Sequence, residues 1–345
     1  MFIISTLAHH PAQFWHPLNG KLIQCDLCPR ACVIDQNASG FCFVRKNLAG
    51  NLVTTAFNHT TGLAVDPIEK KPLYHFLPGS KILSFGTVGC NLGCSFCQNW
   101  AFAKTEQPMQ PVTAALIIAA AQDHDCASVA FTYNEPVIFS EFAIHIAQAC
   151  REHRLKTVAV TNGYIQAPAR KEFFECMDAT NVDLKGFSEA FYQKYCNAHL
   201  QPVLETLRYI HTSTKTWLEI TNLLIPGAND NPDEIRSMCQ WIAAELGRDV
   251  PIHFSAFHPD YRLLDNNVTP IETLKTARDI AQQSGLRFVY LGNVSQNDET
   301  PTVCQQCGQL IIRRTGYKIT DYQLDETGHC SFCKTSCSGV FSYQS

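Results

Sequence analysis

The segment GTVGCNLGCSFCQNWAFAK, residues 86–104, places Cys90, Cys94 and Cys97 at the spacing C-x3-C-x2-C. A structural zinc ion requires four closed ligands, usually as two C-x2-C pairs, which this loop does not supply. Thiolates also bind iron–sulfur clusters, and a short glycine-rich loop with three of them can hold a cubane while its fourth iron stays open. The segment therefore predicts a three-ligand cluster, with zinc and a distant fourth ligand as the alternative.

Around this loop, residues 81–292 alternate apolar, β-branched runs with helical patterns. The runs are KILSFGTV, ASVAFTY, KTVAVTN, ATNVDLK, TWLEITNLLI, PIHFSAFH and RFVYLG. Helix signals lie between them, such as Asn231-Pro232 at one start and Gly247 at one end. The alternation predicts βαβ units on a parallel sheet, and six or seven units of about thirty residues fit a partial barrel better than two small domains.

Polar residues occur where these predicted strands end. In parallel α/β folds the working groups lie at the C-terminal ends of the strands. The residues in question are Cys90 after the first strand, Asn134 and Glu135 after the second, Thr161 and Asn162 in the third, Asp183 and Lys185 in the fourth, and His258 at the end of the sixth.

The cysteine loop, the aromatic Phe96 before its last cysteine and the βαβ series together resemble the radical S-adenosylmethionine (SAM) superfamily. The resemblance implies a partial (β/α)6 barrel with a [4Fe-4S] cluster on Cys90, Cys94 and Cys97, and SAM chelating the open iron. It also implies reductive cleavage of SAM to methionine and a 5′-deoxyadenosyl radical, which takes a hydrogen atom from a substrate.

The same resemblance implies SAM contacts at the strand ends. TYNEP stands where the superfamily has a GGE-like motif, with Tyr133 and Asn134 in place of its first two glycines. Asn134 and Glu135 would accept hydrogen bonds from the SAM amino group, and Lys185 would pair with its carboxylate. The VTNGY motif brings Thr161 and Asn162 to the cofactor, Asp183 would bind ribose or Lys185, and His258 would face the adenosyl pocket. A structural Asp183–Lys185 ion pair and a packed His258 are the alternatives.

Further motifs, CDLCPRACVI, SGFCFVRKN, DPIEKKPLYHFLPGS and FHPD, are similar to those of AmmeMemoRadiSam system radical SAM enzymes, relatives of pyruvate formate-lyase activating enzyme. That likeness covers about residues 20–340. It implies Memo-like and AMMECR-like proteins as partners and flavodoxin or ferredoxin as the electron donor. In the lead-in motif, Lys71, Tyr74 and His75 could reach cluster or substrate, or the motif could simply cover the barrel.

Cysteine-rich segments flank the barrel, so the predicted domains are 1–80, 81–292 and 293–345. The C-terminal set resembles a zinc ribbon, with an auxiliary cluster as the alternative and Cys337 as a spare. For the N-terminal set, zinc, a second cluster and an unmetallated state all remain open. The two sets are Cys304, Cys307, Cys330 and Cys333 at the C-terminus and Cys25, Cys28, Cys32 and Cys42 at the N-terminus. The single cysteines predicted as packed or idle are Cys126, Cys150, Cys176, Cys196, Cys239 and Cys337.

The composition limits the classes of function. The chain has 345 residues, 46% of them apolar, and a formal net charge of −4, so a nucleic-acid partner receives no electrostatic support. No apolar run of about eighteen residues predicts a membrane span, and the N-terminus lacks signal-peptide features. We therefore expect a cytoplasmic protein, in which a total of seventeen cysteines indicates metal binding rather than disulfides.

Three functions fit the sequence. The first is a radical SAM enzyme acting on an unidentified peptide or small molecule. The second is an activase that installs a glycyl radical on a partner enzyme. The third is a zinc-ribbon scaffold, which would need basic residues near the C-terminal cysteines, where the chain offers Arg313, Arg314, Lys318 and Lys334.

Overall fold

The computed structural model describes residues 9–295 and 301–342. Its strands are β1 His10–Pro11, β2 Trp15–Pro17, β3 Ile23–Cys25, β4 Val33–Ile34, β5 Arg45–Leu48, β6 Asn51–Thr54, β7 His59–Thr60, β8 Gly62–Pro67, β9 Lys81–Gly86, β10 Gln110–Pro111, β11 Ser128–Phe131, β12 Lys156–Thr161, β13 Ala179–Asp183, β14 Trp217–Leu224, β15 Ile252–Ala256, β16 Val289–Gly292, β17 Thr302–Val303, β18 Leu310–Thr315 and β19 Lys318–Tyr322. Its α-helices are α1 Trp100–Ala103, α2 Ala114–Asp123, α3 Ser140–Glu152, α4 Ala167–Phe174, α5 Glu189–Phe191, α6 Gln201–Ser213, α7 Pro232–Glu245 and α8 Ile271–Gln283.

The centre of the fold is an eight-stranded sheet in the order β16-β15-β14-β13-β12-β11-β9-β8. Strands β9 and β11 to β16 are parallel neighbours in chain order, and they coincide with the seven predicted runs. The predicted α/β fold with a parallel central sheet is confirmed. Because every crossover joins adjacent strands, the C-terminal ends of all seven strands meet at one edge, where the polar residues collect.

The helices form where their sequences supply both an apolar face and a start signal. In α7 the Asn231 side chain accepts a hydrogen bond from the Asp233 amide at 2.8 Å, and Pro232 occupies the first turn, where its missing N–H is not needed. Ile235, Met238 and Cys239 are buried by this helix. The helix is therefore capped at its N-terminus and anchored along one side.

The segment before β9 belongs to the central sheet. Strand β8 pairs antiparallel with β9 along its whole length, from Gly62 opposite Gly86 to Pro67 opposite Lys81. Ile68, Leu73 and Phe76, which follow β8, pack with Ile82 of β9 in a separate buried cluster. The boundary predicted between residues 80 and 81 therefore separates two paired strands of one sheet. The sequence did not indicate β8, because a lone edge strand does not produce the βαβ alternation.

The C-terminal segment forms a small antiparallel sheet, β17-β18-β19, that packs on the last parallel strand. The His75 ring joins this segment to the lead-in loop, with Nδ1 at 2.6 Å from the Ser338 carbonyl oxygen and Nε2 at 2.6 Å from the Tyr290 hydroxyl. Arg314 is buried beside Glu69, with 3.6 Å between Nε and Oε1. One of the four basic residues invoked for a scaffold function is therefore used inside the protein.

Within the residues described, none of the helices has the length and apolar character needed to cross a bilayer.

Candidate active site

A cavity of about 700 Å³ lies at the C-terminal ends of the parallel strands. It brings together nine of the ten residues predicted for the cluster and SAM. These are Cys90, Cys94, Cys97, Asn134, Glu135, Thr161, Asn162, Asp183 and Lys185. The tenth, His258, is exposed two residues beyond the end of β15, and it is absent from the described lining of this cavity.

The cysteine loop is held by backbone contacts on both sides. The Asn134 side chain accepts a hydrogen bond from the Thr87 amide at 2.9 Å and donates to the Gly89 carbonyl at 3.0 Å. Farther along, the Gly93 amide donates to the Cys196 carbonyl at 2.7 Å. Asn134 was expected to receive the SAM amino group, but its carboxamide oxygen already accepts from Thr87. Its contacts position the loop that precedes Cys90.

Tyr133 explains how the chain departs from a glycine-containing motif. Its φ is +69°, in the left-handed region that glycine adopts most easily. The side chain is anchored because its hydroxyl donates to the Asp66 carboxylate at 3.1 Å. Tyr133 thus has a backbone conformation that favours glycine, and its side chain is held by Asp66 of β8.

The three thiols fit separate irons better than a single ion. Among the described residues, the sulfurs of Cys90, Cys94 and Cys97 do not form a group lying within 4.8 Å of one another. Burial raises the pKa of Cys90 to about 12 and also raises the pKa of Cys97. Binding to a metal centre would compensate for burying these thiols, since thiolates, not thiols, are the ligands.

Cys196 is a site residue that sequence reasoning missed. It was predicted as a packed or idle thiol, and it is indeed buried, but it also contacts the cysteine loop: its carbonyl accepts from the Gly93 amide, and its thiol lowers the pKa of Cys94 to about 6. The residue ends a short π-helical turn, Tyr192–Cys196, and is fully buried. No spacing signal marks it, because it lies about a hundred residues from the cysteine loop in sequence.

Glu135 is the most firmly held acid in the cavity. Its carboxylate accepts from the Thr161 hydroxyl at 2.6 Å, from the Asn162 amide at 2.8 Å and from the Val137 amide at 3.0 Å. Burial raises its pKa to about 7 in spite of these donors. A nearby ammonium group would favour the ionised form, so the site has the chemistry to receive a cation such as the SAM amino group.

Asn162 connects the third strand to the cysteine loop. Its side-chain nitrogen donates to the Asn91 side chain at 2.8 Å and lies 3.8 Å from the Cys90 sulfur. An N–H group so placed would tune a cluster through its sulfur ligand. Thr161 and Asn162 therefore serve the site mainly by orienting Glu135 and Cys90.

Asp183 and Lys185 form an ion pair on the cavity wall, with 2.9 Å between Oδ2 and Nζ. Although burial disfavours the charged amine, the Asp183 carboxylate raises the pKa of Lys185 well above its ordinary value. The Lys185 amine therefore remains protonated at neutral pH. A fixed ammonium group at this position can bind a carboxylate of a ligand, and it lies 5.9 Å from the Phe96 ring centroid.

The cavity is also lined by polar groups that the strand-end rule did not predict. His253 is one of them, and its Nε2 lies 2.7 Å from Oε2 of the buried Glu219. Lys71 and Tyr74 of the lead-in motif also line the cavity, and Lys71 is bound to Asp66 at 2.8 Å. Glu219 and His253 lie within the apolar strands β14 and β15 rather than at their ends. The strand-end rule therefore could not identify them from the sequence.

The two outer cysteine sets differ in compactness. All four C-terminal sulfurs lie within 4.8 Å of one another, with Cys304 at 3.5 Å from Cys333 and Cys307 at 3.8 Å from Cys330. The spare Cys337 lies outside this group. The N-terminal four line one small cavity, but they do not meet the same 4.8 Å spacing.

Comparison with known proteins places this geometry in a family. The Radical SAM superfamily profile matches residues 85–242. An uncharacterized protein of Methanocaldococcus jannaschii is 40% identical over 326 residues, which cover 93% of this chain and 97% of that protein. The (2S)-3-sulfopropanediol dehydratase activating enzyme of Klebsiella oxytoca is 26% identical over 113 residues, or 33% of this chain and 35% of that enzyme.

Among solved structures, a radical SAM methyltransferase from Sphaerobacter thermophilus superposes with a TM-score of 0.51 at 13% identity, covering 82% of this chain and 76% of that one. This similarity shows the fold. The chain belongs to the radical SAM superfamily, as its cysteine loop and sheet order indicate.

Proposed function

We propose that this protein is an enzyme that binds a [4Fe-4S] cluster through Cys90, Cys94 and Cys97 and cleaves SAM reductively. The observation that supports this proposal is the single cavity shared by these thiols, Glu135 and Lys185. When bound, cluster and SAM supply an electron and a 5′-deoxyadenosyl radical that takes a hydrogen atom from a substrate.

The chain's own groups hold the cofactor in place. Glu135 receives the SAM amino group, because it is the carboxylate that burial and backbone donors fix at the cavity. Lys185 receives the SAM carboxylate, with Asp183 keeping its ammonium group oriented.

The test is formation of 5′-deoxyadenosine. Protein reconstituted anaerobically with iron and sulfide is reduced with dithionite and given SAM, and the product is measured by mass spectrometry. Wild type and Cys239→Ala should form it, since Cys239 is buried in α7 away from the cavity, whereas Cys94→Ala should not. Equal product from Cys94→Ala, or none from wild type carrying a full cluster, would overturn the proposal.

A glycyl-radical activase is the second candidate, favoured by the 26% identity to the Klebsiella oxytoca activating enzyme. In that case the hydrogen atom comes from a glycine of a partner enzyme. Incubation with a candidate glycyl-radical enzyme should produce a glycyl radical detectable by electron paramagnetic resonance (EPR). Product formation with no radical on any such partner would favour another substrate.

The AmmeMemoRadiSam likeness supports a narrower proposal, with Memo-like and AMMECR-like proteins as partners and a flavodoxin or ferredoxin as the donor, in the cytoplasm. It rests on the cysteine and lead-in motifs. Adding each partner protein to the reconstituted enzyme should raise 5′-deoxyadenosine formation if it carries the substrate. Turnover unaffected by either protein would count against this assignment.

For the C-terminal tetrad we propose zinc. Four thiols within 4.8 Å match the tetrahedral arrangement around one zinc ion, whose bonds to sulfur are about 2.3 Å long. The site is closed, since every ligand comes from the protein. Its role would be structural.

A further inference from the structure

The N-terminal cysteines form a site separate from the SAM cavity. Cys25, Cys28, Cys32 and Cys42 line one small cavity with apolar neighbours that include Ile34. Three of the four are buried. They come from β3 and the loops that follow it, so the fold assembles them from a stretch that also carries the small β2-β3-β4 sheet.

The spacing of these sulfurs distinguishes between metal centres. A zinc ion held by four thiolates brings all of them close together, as in the C-terminal tetrad, where every pair lies within 4.8 Å. No three of the N-terminal thiols meet that spacing, and neither do the three on the SAM loop. Thiolates of a cubane are farther apart, because each binds a different iron atom. The N-terminal set therefore lacks the compact spacing of the C-terminal tetrad, and in this respect it is like the three thiols of the SAM loop.

The surroundings provide a hydrogen-bond donor for sulfur. Arg45 lies on the cavity wall with 1% of its surface exposed, and its Nε–H has no hydrogen-bond partner within residues 9–295 and 301–342. Its other nitrogens bind Glu141 and a backbone carbonyl. A buried N–H group at the wall of a thiol site requires an acceptor, which a cluster sulfide or thiolate would supply.

This site also touches the SAM loop. A methyl group on Gly89 would come within 2.0 Å of the Cys42 carbonyl oxygen, so the two backbones are in direct contact. Arg30 donates from its side chain to the carbonyls of Asn91 and Asn197, at 2.5 Å for the latter. The N-terminal loop and the SAM loop are therefore packed as one unit.

We propose that Cys25, Cys28, Cys32 and Cys42 hold a second [4Fe-4S] cluster, ligated at all four irons and packed beside the SAM loop. Because it has no open iron, this cluster does not bind SAM. It is independent of the reaction proposed above, and it can be detected without turnover.

The test separates three thiol sets by metal content after anaerobic reconstitution. The Cys90→Ala, Cys94→Ala, Cys97→Ala triple variant should keep about half of the wild-type iron and sulfide. Adding Cys28→Ser and Cys42→Ser should remove that remainder. Adding Cys304→Ser and Cys307→Ser instead should leave it in place. Circular dichroism checks that each variant is folded.

Wild-type protein gives a second readout that requires no variant. After reduction, EPR should resolve two cluster signals, of which SAM changes one and leaves the other unaltered. A folded triple variant without iron, zinc bound to the N-terminal cysteines, or a single SAM-responsive signal in protein with a full iron complement would each overturn the proposal.

Discussion

The Glu135 carboxylate and the Asn162 amide are joined by a 2.8 Å hydrogen bond that ties the end of β11 to the end of β12. The same carboxylate accepts from the Thr161 hydroxyl. One acid thus sets the spacing of two strand ends and faces the cavity.

Replacing Glu135 by alanine should reduce both SAM binding and stability. The substitution leaves the Asn162 amide and the Thr161 hydroxyl without their acceptor, which lowers the free energy of unfolding by about 1–3 kcal/mol. Equilibrium dialysis of SAM and urea unfolding measure the two effects. Glu152→Ala, at the exposed end of α3, is the control and should change neither. Unaltered SAM affinity in Glu135→Ala would contradict the assigned role.

The contact between Gly89 and Cys42 can be isolated with a matched pair of glycines. Gly89 and Gly50 have φ values of +92° and +91°, but only Gly89 has atoms near its missing side chain. Both alanine variants should lose about 1–2 kcal/mol from backbone strain. Gly89→Ala should lose more, and it should also bind less iron because the two loops separate. Similar melting temperatures and iron contents for the two variants would show that the contact is unimportant.

His75 should make stability depend on pH. Burial lowers its pKa to about 4, below the ordinary value of 6.5, so the unfolded chain binds more protons between these values. Its stabilising contribution is complete above about pH 6.5 and is lost as the pH falls toward 4. The expected loss between pH 7 and pH 5 is about 2 kcal/mol.

Urea unfolding at several pH values measures this dependence. The His75→Gln variant should be less stable overall, because the bonds to Ser338 and Tyr290 change, but its stability should vary less over this range. His211→Gln, in the exposed end of α6, should keep the wild-type slope. A slope in His75→Gln equal to that of wild type would refute the argument.

The C-terminal tetrad predicts which of five cysteines bind zinc. Cys304→Ser should lower the zinc content of the purified protein and its melting temperature, because three thiols leave the site open. Cys337→Ser should retain zinc, since its sulfur lies outside the compact group. Zinc lost equally from both variants would mean that Cys337 is a ligand.

The sequence was sufficient to predict the parallel sheet and most of the cavity. Strand periodicity identified all seven parallel strands, and their shared polar edge placed Glu135 and Lys185 correctly. Strand β8 was not predicted, because its Leu63 and Val65 side chains are partly exposed at the edge of the sheet and no α-helix separates it from β9.

Other features required coordinates. His258 was expected at the cavity, but the chain turns outward after β15 and exposes it. Cys196 approaches Cys94 only because a π-helical turn carries it back to the cysteine loop. The sequence left more than one metal centre open for each cysteine tetrad, and the distances between the sulfurs show that only the C-terminal tetrad of the two is compact.

The order of the sheet has a consequence for how the protein is made. As the chain leaves the ribosome, each parallel strand can pair with the one synthesised just before it. The exception is the bridge between Phe76 and Val340, which closes a loop spanning most of the chain. A nascent chain that stops before residue 340 can already contain the whole parallel sheet. Its lead-in segment, however, still lacks the pairing of Phe76 with Val340. The lead-in segment therefore completes its packing only after residue 340 has been synthesised.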